Sequence, residues 1–111
     1  MKRIMIVAAL VALSGCGTVN DLKQNTPAIS GSTDKTVQEY TACVLSEWNK
    51  HTYLQPVLTQ PLSNGNALIF DEPFRGPVFI LDVEKVGDGS EFKLYKSRDI
   101  SYYEKPITSC K

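Results

Sequence analysis

Asp82 and Glu84 stand two residues apart in the alternating run 78–86. An extended strand would set both carboxylates on one face, about 6–7 Å apart. Such a pair can work as general acid and base or hold a cation. On a half-buried sheet it equally marks the wetted face, and that is the reading preferred here. His51 is the only histidine. It could serve as a general base only with a nucleophile and an orienting group in reach, and no nucleophile-elbow spacing accompanies it. Its place just past a helical stretch suits a side chain stabilised by the helix dipole. Asp88, within Gly87-Asp88-Gly89-Ser90-Glu91, lacks the regular oxygen spacing of a twelve-residue calcium loop and reads as a turn. Lys93, Lys96 and Arg98, interleaved with Tyr95, offer charge and stacking surface for an anionic glycan or a lipid head group. Strand alternation scatters them over two faces, and edge lysines also discourage strand addition. The candidate partner contacts are Phe74, on an expected loop tip, together with Tyr102 and Tyr103, since exposed aromatics make good anchors.

The amino terminus carries a different chemistry. Lys2 and Arg3 precede an unbroken apolar run, residues 4–13. That run is too short to cross a bilayer, which needs roughly 20 apolar residues. A basic start followed by a short apolar core marks a removable export signal. Leu13-Ser14-Gly15-Cys16 closes it. The tetrad resembles the lipobox of bacterial lipoproteins: an aliphatic residue, a small residue, Gly or Ala, then Cys. The resemblance covers residues 1–16 and matches at every position of the motif; the remaining chain resembles no family. It implies cleavage before Cys16, a diacylglyceryl thioether on the Cys16 sulfur, and an acyl group on the new amine. Two or three chains exceed the threshold for stable anchoring, at ~0.8 kcal/mol per buried methylene. Gly17, rather than Asp, follows the cysteine. By the same resemblance the destination is the outer membrane, facing the periplasm. No cofactor is expected beyond this covalent lipid.

Whole-chain charge is balanced, with 12 basic and 12 acidic side chains. Loss of Lys2 and Arg3 with the leader tips residues 16–111 to the acidic side, which gives no electrostatic footprint for nucleic acid. Residues 16–33 are rich in Thr, Ser, Asn and Gly, without helical or strand period, and read as a lipidated flexible tether. As a coil, residues 17–33 would span about 23 Å, at ~5.5 Å × √n. Residues 34–111 remain as one domain, small enough that a single core is only marginally stabilising. With Cys16 spent on lipid, Cys43 and Cys110 can pair in only one way, and the periplasm is oxidising. Neither a second cysteine pair nor a histidine cluster supports a zinc site.

Val37, Tyr40, Thr41, Val44, Leu45 and Trp48 recur at helical spacing, and Thr36 with Glu39 fits a capping box. The helix should end near residues 50–52. Pro56 and Pro61 bracket at best a short edge strand over 57–59. Ser63-Asn64-Gly65-Asn66 is a turn signal before a strand at 67–70, and Gly87-Asp88-Gly89 separates strands at 78–86 and 91–96. Phe79, Leu81, Val83, Phe92 and Leu94 should face the core, with Ile80, Asp82, Glu84, Glu91, Lys93 and Tyr95 outward. Residues 99–110 suit either a strand or a short helix, limited by Pro106. The expected fold is α+β: one N-terminal helix on a small antiparallel sheet of three to five strands, stapled by one disulfide. The expected function is a non-enzymatic binding or adaptor domain for an envelope protein or cell-wall polymer. The alternatives are an inhibitor or exclusion factor acting on a cell-wall hydrolase or phage component, and a hydrolase built on His51.

Overall fold

A computed structural model of the chain describes residues 21–50, 57–72 and 76–111. Five antiparallel strands form one sheet in the order β1-β5-β4-β3-β2, where β1 is Ile29–Thr33, β2 Leu58–Leu62, β3 Gly65–Glu72, β4 Gly76–Val86 and β5 Gly89–Lys96. Helices α1 (Val37–Asn49) and α2 (Ser101–Ser109) both pack on one face. The α+β class, the antiparallel sheet and the staple are as expected, with two differences. The helix is not the first element, because β1 precedes it, and a second helix shares its layer.

Alternation sorts the two faces of the sheet. Leu68, Phe70, Phe79, Leu81, Val83, Phe92 and Leu94 meet the helices in the main core. Ile69 and Ile80 form a second, smaller cluster on the back. The alternation breaks once, at a register shift between Phe70 and Asp71. Beside it, the consecutive residues Val78 and Phe79 both join the main core, as an extra residue in one strand of a pair permits. Two hairpins have two-residue loops, Ser63-Asn64 and Gly87-Asp88. Gly87 takes φ +60, which the primed turns of such hairpins require and which glycine adopts without steric cost. The edge strand β2 runs further than expected, through Pro61. Proline is tolerated there because an edge residue's N–H can face solvent.

α1 begins with the expected capping box: Thr36 Oγ1 accepts from the Glu39 N–H, and Glu39 Oε1 from the Thr36 N–H. It buries Val37, Tyr40, Thr41, Val44 and Trp48. The last segment resolves as helix, with Pro106 inside it. Tertiary donors hold this short helix in place. Trp48 Nε1 donates to the Tyr103 carbonyl at 2.8 Å, Tyr40 Oη to that of Ile107 at 2.6 Å, and Lys35 Nζ to that of Cys110 at 2.6 Å. Tyr103 inserts among Trp48, Phe70 and Phe79, with ring centroids 5.7, 4.8 and 5.3 Å away. The Cys43–Cys110 disulfide, Cα atoms 5.8 Å apart, joins the middle of α1 to the end of α2.

The tether is shorter than its composition suggests. Residues 29–33, assigned to it above, are the edge strand β1, paired with β5 from Ile29↔Leu94 to Thr33↔Ser90. Before them the chain crosses the back of the sheet. Leu22 is buried on Ile69 and Ile80 with Tyr95 beside it, and Lys23 Nζ lies 3.0 Å from Asp82 Oδ2. The Ala28 N–H donates to the Leu94 carbonyl at 2.8 Å. Burying Ile80 and Ile69 on that face removes apolar surface from water, and Leu22 supplies the cover.

Candidate functional site

The antiparallel register runs β1, β2 and β4 against β3 and β5, so each end of the sheet gathers distant residues. At one end the two hairpin loops meet the start of α1. There a cleft of about 370 Å³ opens, lined by Thr36, Gln38, Asn64, Asn66, Lys85 and Asp88 among others. Its walls are held close. The Asn64 side-chain amide donates to the Lys85 carbonyl at 2.9 Å, and the Lys85 N–H returns a bond to the Asn64 carbonyl at 2.8 Å. Gly65 sits so near β4 that a Cβ would fall 1.9 Å from the Val83 carbonyl oxygen, so only glycine fits. Carboxamides, hydroxyls, one ammonium and one carboxylate therefore converge around a partly enclosed space. Sequence reading recognised the pieces, as two turns and a helix cap, but carried no signal that they meet.

The residues singled out from sequence are placed as follows. Asp82 and Glu84 do share the back face, where with Glu91 and Lys93 they line a small hollow of about 40 Å³. Asp82 is bridged by Lys23, and its Oδ1 is buried without a hydrogen-bond partner among the described residues. Glu84 stands directly opposite Glu91, and Asp82 opposite Lys93. Among the described residues, no group of three or more His, Cys, Asp or Glu side chains is arranged to hold a metal ion. Asp88 occupies the turn, as expected, and lines the cleft.

The basic residues divide between surfaces. Lys93 lies on the back of the sheet, whereas Lys96 bridges Asp99 at 2.8 Å and Glu104 at 2.7 Å. Hydrogen bonds to those two carboxylates raise the Lys96 pKa above its ordinary value. Arg98 pairs with Glu72. Their charges are thus engaged at the end of the sheet opposite the cleft.

Tyr103 corrects the expectation of a partner contact: it is 2% exposed and belongs to the core. Burial, and the neighbouring Tyr102, push its hydroxyl pKa up to about 12. Tyr102 remains at the surface, 44% exposed, with its ring centroid 4.8 Å from that of Tyr103. The reason is helical geometry, which points neighbours about 100° apart. His51, Phe74 and Cys16 lie outside the described residues. Among the described residues, no helix is long and apolar enough to cross a membrane.

In comparisons with known proteins, no family model, curated protein or solved structure matches this chain.

Proposed function

We propose that this chain is a lipid-anchored domain of the bacterial envelope that binds cell-wall polymer and performs no chemistry of its own. In this reading Cys16 carries the diacylglyceryl and N-acyl lipid, and the outer membrane holds the domain facing the periplasm. The motif Leu13-Ser14-Gly15-Cys16 supports the anchor. The Cys43–Cys110 disulfide agrees with an oxidising compartment.

The observation that carries the binding reading is the composition of the cleft. Gln38, Asn66, Lys85 and Asp88 present donors and acceptors suited to a ligand dense in hydroxyl and amide groups. A stable protein interface would be expected to offer an aromatic or broad apolar centre, and Val37 is the one large apolar side chain that lines the cleft. Cell-wall glycan and its peptides have the complementary chemistry. A tether makes even a weak contact effective, because the second partner is always near.

Cosedimentation of the detergent-solubilised full chain with purified, insoluble wall material tests this. The native protein should sediment, and Asn66→Ala with Lys85→Glu should release most of it while circular dichroism stays unchanged. Retention of the double variant, or no sedimentation of the native chain, would reject the cleft as a wall-binding site. Labelled palmitate, incorporated by the native chain and not by Cys16→Ser, tests the anchor separately.

A further inference from the structure

We infer that the docked segment 21–28 sets the sheet's cleft-free end down on the phospholipid head groups, leaving the cleft facing away from the membrane. The inference rests on the anchor proposed for Cys16 and extends it to an orientation.

Chain length is the first argument. Leu22 and Lys23 are fixed to the back of the sheet, so only five residues, six Cα–Cα steps, separate Cys16 from Leu22. Six such steps reach about 20 Å at full extension and typically span about 13 Å. The tether inferred from composition would have allowed the domain to stand well clear and turn freely. A linker this short does not.

Position on the sheet is the second. Leu22 contacts Ile69 and Ile80, which share a cross-strand row with Leu58 and Tyr95 near the end that bears Glu72 and Lys96. From Ile80 to Val86, beside the cleft, β4 runs about 20 Å further. Turning the cleft toward the lipid would stretch the linker to its limit, whereas lowering the opposite end leaves it slack.

Surface chemistry is the third. Among the described residues, two of the three exposed large apolar side chains lie at the linker's end of the sheet: Leu58, 54% exposed, opposite Ile69, and Tyr102, 44% exposed, beside Tyr103 over Phe70 and Phe79; Val86, 53% exposed, lies alone beside the cleft. An aliphatic residue and a tyrosine suit the boundary between head groups and acyl chains.

The test places a photoreactive residue at Leu58, Tyr102 or Val86 of the full chain in intact envelopes and measures adducts with phospholipid, alongside palmitate incorporation. Labelling several-fold stronger at Leu58 and Tyr102 than at Val86 is expected. Palmitate incorporation with equal or reversed labelling would overturn the orientation and leave the anchor standing. Absence of palmitate would remove the anchor, and the orientation with it. A second variant, Leu22→Asp with Lys23→Glu, undocks the segment and should bring Leu58 labelling down to the Val86 level. Unchanged labelling in that variant would show that docking does not set the orientation.

Discussion

Single side chains carry much of what holds α2 to the body. Trp48 and Tyr40 each bury a large ring and spend their one polar hydrogen on a carbonyl of α2. Trp48→Phe removes the bond to Tyr103 and some ring volume, which should cost about 2 kcal/mol in urea unfolding. A loss below a few tenths would mean that the indole bond is not formed in solution. The same burial makes stability depend on alkaline pH. Burial raises the hydroxyl pKa of both Tyr40 and Tyr103, the latter to about 12. The unfolded chain releases those protons near pH ~10. The folded form holds them longer, so their contribution is whole below the unfolded value and is lost as pH rises through the folded one. Thermal midpoints should therefore be flat from pH 7 to 9, within the neutral range of both phenols, and fall steeply above pH ~10. Tyr40→Phe should flatten part of that fall.

At the scale of elements, the disulfide and the docked amino-terminal segment do different work. Cys43–Cys110 closes a loop of sequence separation 67. Chain entropy assigns such a closure roughly 4 kcal/mol, less any strain. Replacing both cysteines by alanine should cost about 2–4 kcal/mol. Hydrogen exchange should show the amides of α2 losing protection before those of β3 and β4, because α2 is short, contains Pro106 and lacks a side-chain cap. Equal loss across helix and sheet would instead make the staple a global restraint. Segment 21–28 covers only the smaller cluster at Ile69 and Ile80, so it should open more easily than β4.

Across the whole molecule, the antiparallel sheet sets the two proposed functions at opposite ends. The segment that leads back toward Cys16 docks near the row Leu58–Ile69–Ile80–Tyr95, and the cleft lies beyond Val86 and Gly89. Strand length alone sets their separation, so wall binding at one end would be compatible with membrane contact at the other. The cosedimentation and phospholipid-labelling experiments probe those ends independently, and variants at one should leave the other's readout unchanged.

Local pattern was enough to reveal α1 with its cap, the strands of the β3–β4–β5 meander, the side chains that face the helices, and the cysteine partners. Each depends on residues close in sequence, on strict alternation, or on there being a single way to pair. Ile80, expected outward, is instead buried on the back of the sheet under Leu22. Three features needed the folded chain. The strand Ile29–Thr33, with Ser and Gly at its centre, has no periodic apolar signal and exists because β5 offers it an edge. Tyr102 and Tyr103 are chemically alike, and only the helical setting against Phe70 and Phe79 decides which one is buried. The cleft brings together residues 36, 64 and 88, whose separation along the chain hides their meeting. Pattern reports what each segment prefers by itself; which segments become neighbours is settled by the burial of one shared core.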